Sequence, residues 1–394
     1  MLVDTPEITP YLGKLIKFRR DLHANPELKY EETRTAAKVC AWLEALGLNV
    51  ERGIGGTGVV ATITGTGPGA VDPLRAIAFR ADMDALPVQE VNSFEHASTA
   101  ANKMHACGHD GHTAMLLGGA TLLARNPDFN GRVHLFFQPA EEGGAGAKRM
   151  MDDGLFQRFP TQAVFALHNW PMLQAGKMGV RVGPIMASAN RFEIHVTGHG
   201  GHAAQPHTTI DPVPIACSIV NELQKLVSRG VDPLDSAVVT IGRVDAGTVA
   251  NIIPDKAIVY GTCRTLRPET QKMMLDGIER IASFVAQAHL AKAELTVSQG
   301  YPATVNTRTE ALFMAQVMAE VVGDDSVKTD IEAAMTAEDF GFMLQAVPGA
   351  YGFIGNGIEG RPRVGLHSPS YDFNDDILGI GAQFWDRLAR RYFA

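Results

Sequence analysis

The sequence predicts an α/β fold in which a mostly parallel, helix-covered sheet is interrupted by a ferredoxin-like β-α-β-β-α-β unit. Two observations carry this. Short continuous apolar runs alternate with amphipathic helical stretches as far as about residue 170 and again after about residue 300, as expected of strands buried on both faces. Between them the rhythm changes to short strands around two long helices, giving domains at 1–184 with 300–394 and at 185–299. A chain of 394 residues suits two or three domains of roughly 150 residues.

Taken in order, residues 9–24 and 31–46 carry apolar positions at helical spacing, and Gly47 stops the second run. Residues 56–65 read as a strand, and 75–84 (RAIAFRADMD) as a buried strand running into acidic residues. A helix follows Asp110, then a buried strand over 133–142 (VHLFFQPAEE), a short helix over 144–153 and an apolar strand over 163–170 (AVFALHNW). Gly53, Gly55 and Gly58 satisfy G-x-G-x-x-G, but no strand precedes them and a strand rather than a helix follows, so the dinucleotide reading is set aside.

The insertion begins with a strand over 190–198. Asp211 and Pro212 then open a helix to about Ser228, as N-cap and first helical residue. Strands over 236–244 and 257–265, a helix over 268–288 and a strand over 293–299 complete the unit. Helices over 309–322 and 337–346, a strand over 350–355 and a helix over 374–392 return to the first pattern.

Composition narrows the function. Lys and Arg number 35 against 43 Asp and Glu, a formal net charge of −8, with no basic run, so nucleic acid is not an expected partner. Apolar residues are 45% and charged residues 20%, values of an ordinary globular chain. No apolar stretch approaches the ~20 residues of a membrane helix. The N-terminal residues lack the charged-then-apolar pattern of a signal peptide. The widely spaced Cys40, Cys107, Cys217 and Cys263 fit free thiols in a reducing compartment. The expected setting is cytoplasmic.

The chemistry concentrates in a few places. His105, Cys107, His109, Asp110 and His112 fall within HACGHDGH, His168 ends an apolar run, and His367 lies in GLHSPSYDF. Thiolate and imidazole are the preferred ligands of zinc-like ions. Asp82 and Asp84 end one predicted strand and Glu141 and Glu142 end another. Either acidic pair alone reads equally well as a solvated loop. Their joint position at strand ends or helix starts does not, because sites in open α/β sheets form outside the carboxyl ends of the strands. The set has enough N, O and S donors for two metal ions, which at roughly 3.5–4 Å separation can share and acidify a water. Of two adjacent glutamates, one can coordinate while the other moves the proton; spacing does not say which.

These stretches resemble the M20 metallopeptidases, specifically the amidohydrolase branch of hippurate hydrolases, N-acyl-amino-acid aminoacylases and auxin-conjugate hydrolases. The likeness runs in order through RRDLHANPEL, RADMDALP, HACGHDGH, FQPAEEGGAGAKRM, ALHNWP, GHGGHAAQPH, NIIPDKAIVYGTCRT, AEDF and GLHSPSYDFND, covering nearly the whole chain. It implies a zinc-exopeptidase-like metallohydrolase domain holding two divalent ions (Zn, Mn, Co or Ni), with an inserted lid that dimerises. By the resemblance, Cys107 is the bridging ligand and His109, Glu142, His168 and His367 are the other ligands. Glu141 becomes the general base and acid, and His202 of the lid reaches the scissile carbonyl oxygen. Asn251 and Arg264 meet the substrate, and Asp84 and Asp110 are expected to orient ligating histidines. The substrate implied is an N-acyl amino acid, hippurate being the reference, and the assembly a homodimer or homotetramer through the lid.

Two departures from the wider family fit the amidohydrolase branch. Asp82 stands where many of the peptidases have a His, and Cys107 where they have a bridging Asp. The nearest alternative is a dipeptidase or another amide C–N hydrolase of the same fold. A thiol nucleophile at Cys107 would leave the glutamates and histidines without a role, and a catalytically dead scaffold would be expected to lack the proton-shuttling Glu. Cys40, Cys217 and Cys263 read as buried small hydrophobes, His23 as a cap or packing residue, and His105 and His112 as supports of the ligands or structural residues.

Overall fold

The computed structural model describes residues 6–68, 72, 74–360 and 364–394. The chain divides into two compact units. The first comprises the chain up to Gly183 together with Val305–Glu332 and the segment from Asp339 onward; the second is Pro184–Thr304 with Ala333–Glu338.

The first unit is built on strands β1 (Val50–Ile54), β2 (Gly58–Thr64), β3 (Ala76–Asp82), β4 (Arg132–Gln138), β5 (Ala163–Gln174) and β6 (Met178–Gly179). Its helices in this part are α1 (Thr9–Ala24), α2 (Thr33–Ala45), α3 (His109–Arg125) and α4 (Gly146–Asp152). The second unit consists of β7 (Ala189–Thr197), α5 (Pro212–Lys225), β8 (Ala237–Ala246), β9 (Lys256–Thr265), α6 (Pro268–Ala288) and β10 (Lys292–Tyr301). The chain then returns to the first unit with α7 (Arg308–Val322), β11 (Val327–Lys328), β12 (Gly349–Gly357) and α8 (Leu378–Tyr392).

The large sheet has the order β1-β2-β4-β3-β5-β12-β6-β11. Its centre is parallel: β4 with β3, β3 with β5, and β5 with β12. Every residue of β3 (AIAFRAD) is buried, and β4 is buried from its second residue onward, so apolar positions fill both faces and the strands read as continuous rather than alternating runs. β1 (VERGI), exposed over three of its five residues, escaped the sequence reading because an edge strand needs no apolar face.

Helix α3 is buried along almost its whole length. It packs on α8 through small residues: a Cβ at Gly119 would stand 2.5 Å from Trp385 Cβ, and one at Gly381 2.1 Å from Met115 Sδ. Trp385 in turn lies 4.7 Å from Phe79 of β3, centroid to centroid. Burying side chains of this size contributes roughly 1.5–3 kcal/mol each, and the close contact fixes the middle of α3, the helix that His109 begins.

In the second unit the sheet order is β8-β9-β7-β10, antiparallel throughout. Phe192, Ile194 and Val196 of β7 and Val259 and Cys263 of β9 point to one face, where Ile219 of α5 and Ile278 of α6 cover them. This is the β-α-β-β-α-β order expected from the sequence. The expected helix over 337–346 is shorter, Gly341–Ala346, because Ala333–Glu338 belongs to the second unit instead. No helix among the described residues is long and apolar enough to cross a membrane.

Candidate metal centre

The ends of β3, β4 and β5 and the start of α3 bring the acidic and imidazole side chains together. Cys107 and His109 flank Gly108, the residue before α3, whose φ of +90° lies in the left-handed region. A Cβ at Gly108 would meet Asn169 Nδ2 at 2.3 Å and the Tyr371 hydroxyl at 2.6 Å. Only glycine therefore lets the chain turn from the thiol into the helix at this distance from β5.

Asp84, just beyond β3, is the hub. Its Oδ1 lies 3.2 Å from His109 Nδ1 and accepts from the Glu141 backbone N–H at 3.0 Å, while Oδ2 accepts from the Glu142 N–H at 2.9 Å. One buried carboxylate thus fixes the histidine and the glutamate pair together. The turn it grips starts at Ala140, a non-glycine residue at φ +55°, ψ +41°, a conformation that costs on the order of 1–2 kcal/mol. Glu141 itself is 7% exposed.

The ligand atoms of Cys107, His109 and Glu142 all lie within 4.8 Å of one another. His168 joins them, with Nε2 3.5 Å from Cys107 Sγ; its Nδ1 sits 2.6 Å from the Asn169 carbonyl oxygen, to which it must donate. That bond places the proton on Nδ1 and turns the Nε2 lone pair toward the thiol. His367, at φ +64°, brings Nε2 to 3.1 Å from Glu142 Oε1 and donates its backbone N–H to Ala106 O. All five expected ligand residues are therefore gathered at one place.

A second grouping, Asp82 with His109, His112 and His168, also lies within ligand distance. His112 is already committed. Nδ1 is 2.6 Å from Asp82 Oδ1, and Nε2 accepts from the Asn169 backbone N–H at 2.9 Å. Asp82 also takes the Arg80 guanidinium at 2.7 Å. Both residues serve as supports.

Three features show that the donor set fits divalent cations. Buried His109 Nε2 has no hydrogen bond while its Nδ1 is held by Asp84. Burial, and then the nearby Glu142, Glu141 and Asp82 carboxylates, push the Cys107 thiol well above its ordinary pKa. Burial would lower His109, but Asp82, Asp84 and Glu142 override it and raise His109 to about 10. Carboxylates thus press on both the thiol and the imidazole, and thiolate, imidazole and carboxylate are zinc-type ligands.

Residues 78–391 match peptidase family M20/M25/M40. The chain belongs to that family. It is 40% identical to the hippurate hydrolase of Campylobacter jejuni over 98% of both chains. It is 39% identical to IAA-amino acid hydrolase ILR1-like 5 of Arabidopsis thaliana over 96% of this chain and 86% of the relative. Among solved structures it resembles the Bacillus subtilis YXEP protein, a dinuclear metal binding peptidase of family M20, with TM-score 0.83 and 34% identity over 98% of this chain and 99% of that one.

Within this M20 chain the expectation for Asp110 is corrected. Its Oδ2 lies 2.9 Å from His23 Nδ1 and 3.5 Å from Arg19, so it supports α1 rather than a ligating histidine. Burial alone would lower His23, but Asp110 and Glu90 raise it to about 9. Arg19, fully buried, continues the network to Asp372 at 3.0 Å and Asp375 at 2.6 Å. His105 is buried with neither ring nitrogen hydrogen-bonded, and burial lowers it to about 3. Asn169 and Tyr371 were missed. Asn169 Nδ2 donates to Cys107 O at 2.6 Å and its Oδ1 accepts from the Tyr371 hydroxyl at 2.7 Å. No local pattern announces such a contact across 202 residues.

In the second unit, His202 is exposed and its Nδ1 accepts from the Ala204 N–H at 3.0 Å, leaving the proton on Nε2. It faces Ile252 in a two-residue ladder, and Asn251 O accepts from Ala203 N at 3.2 Å, so His202 and Asn251 are neighbours. Arg264 of β9 donates to Met335 O at 3.0 Å.

Proposed function

We propose that this protein hydrolyses the amide bond of N-acyl amino acids, releasing a carboxylic acid and a free amino acid. The observation that carries the reading is the buried Cys107–His109–Glu142 cluster with Glu141 beside it on a turn held by Asp84. Cys107, His109, Glu142, His168 and His367 would hold two divalent ions, which supply Lewis acidity that polarises the acyl carbonyl and acidifies water.

Glu141 is next to a ligand without being assigned as one, so its carboxylate takes the proton from the attacking water and returns it to the departing amide nitrogen. Asp84, by gripping both glutamate amides, keeps ligand and proton carrier in fixed relation. His202, with its proton on Nε2, is suited to donate to the developing oxyanion. Asn251 and Arg264 are assigned to the substrate, with Arg264 suited to a carboxylate. The same reading includes a homodimer or homotetramer through the inserted unit and a cytoplasmic setting, the latter supported by four free cysteines.

The test is glycine release from N-benzoylglycine before and after chelation and re-addition of Zn, Mn, Co or Ni. Release abolished by chelator and restored by metal supports the reading. Release that survives stringent chelation overturns it in favour of thiol chemistry at Cys107. Silence with every metal on both N-benzoyl and N-acetyl amino acids overturns the substrate class.

A further inference from the structure

The turn that presents Glu141 is held by a second buried carboxylate to which no chemistry has been assigned. Glu32 is fully buried. Its Oε1 accepts from the Ala140 backbone N–H at 2.9 Å and its Oε2 from Thr57 Oγ1 at 2.5 Å. Glu32 occupies the N-cap position of α2, yet its side chain makes no capping bond to that helix. The carboxylate is instead spent on a residue 108 positions away.

Ala140 is the left-handed residue on which the turn depends. Three successive amides there, those of Ala140, Glu141 and Glu142, all go to buried carboxylates: the first to Glu32, the next two to Asp84. Asp84 also faces His109 and so links the turn to the ligands, whereas Glu32, held on its other oxygen by Thr57, bonds within the turn to the residue whose φ sets the direction in which the chain leaves β4.

We propose that Glu32 is a positioning residue for Glu141, holding Ala140 in the left-handed conformation that aims the proton-carrying carboxylate. The assignment rests on the reading of Glu141 given above. Glu32 acts through the main chain and touches neither substrate nor metal, so its loss is expected in kcat rather than in KM or metal content.

The experiment compares E32A, E32Q, A140G and E32A/A140G with E141Q, all metal-loaded, on the N-acyl amino acid turned over fastest. E32A is expected to lower kcat about 100-fold, the scale of a 1 Å misplacement, with KM within about threefold and the metal content of the parent. E32Q, which keeps an acceptor oxygen for Ala140 N–H, is expected within about fivefold of the parent. A140G is expected to restore E32A by about tenfold, because glycine adopts positive φ without steric cost; a general packing role for Glu32 would not be rescued this way. A kcat for E32A within threefold of the parent overturns the proposal, as does an E32A defect that A140G leaves unchanged. Should E32A fail to fold, E32D and E32Q decide: E32D, one methylene short, must lose more kcat than E32Q, and the reverse order overturns the proposal. If E141Q stays active, the assignment of Glu141 fails first. If E141Q is dead while E32A is normal, only the role of Glu32 falls.

Discussion

At the level of single residues, Asp84 has the most to lose by conservative change. Both oxygens accept, from one imidazole and two backbone amides. In Asp84→Asn the amide group must turn an N–H toward one of those donors, so at least one buried donor loses its partner. The expected outcome is a fall in metal affinity of about 10–100-fold, as for other groups that orient ligands, together with a kcat lower by about 100-fold. Metal titration and steady-state kinetics on the same preparation check both. The corresponding change at Asp110, which bonds His23 and lies 3.5 Å from Arg19, is expected to reduce stability and leave metal affinity within about threefold.

At the level of elements, α3, which begins at His109, packs closely on α8. Gly119→Leu places a branched side chain where even a Cβ would stand 2.5 Å from Trp385 Cβ. Overpacking of this kind costs about 1–3 kcal/mol, more than the up to ~1 kcal/mol that a better helix former returns. Urea denaturation of the variant is expected to show a lower midpoint at unchanged slope. This scale was also the most legible in the sequence. Buried strands with Asp84 and Glu141/Glu142 just beyond their ends, and the Cys107–His109 spacing at a helix start, reported themselves through local pattern, since period and strand-end position are local properties. What stayed hidden is long-range. Asn169, Tyr371 and Glu32 act on partners 62 to 202 residues away, and the direction Asp110 faces is set by α1, 87 residues upstream. The helix expected over 337–346 came out short because residues 333–338 are taken into the other unit, a tertiary choice that propensity does not encode.

At the level of the whole molecule, the buried Arg19, His23 and Asp110, with the partly exposed Asp372 and Asp375, fasten α1 both to the start of α3 and to the segment that follows His367. His23, at about 9 in the folded state against an ordinary 6.5, binds its proton more tightly folded than unfolded. Its stabilisation is therefore complete below about pH 6.5 and is lost as pH rises through about 9, by on the order of 3 kcal/mol. Melting temperature measured from pH 6 to 10 is expected to fall across that window, and His23→Gln to flatten the slope. The sheet has a further consequence, for synthesis. β12, paired in parallel with β5, is made only after the entire second unit has intervened, from Gln174 to Gly349. At the usual 5–20 residues per second a ribosome needs roughly 10–35 s for that stretch. For that time a nascent chain carries β5 with one edge unpaired and His367 not yet made, and in the later part of it, after Tyr301, the four-stranded sheet of the inserted unit has all its strands. The strands of the inserted antiparallel sheet are thus complete before the parallel sheet that surrounds it in sequence can be, and until then the free edge of β5 is the kind of unpaired strand that invites pairing with other chains.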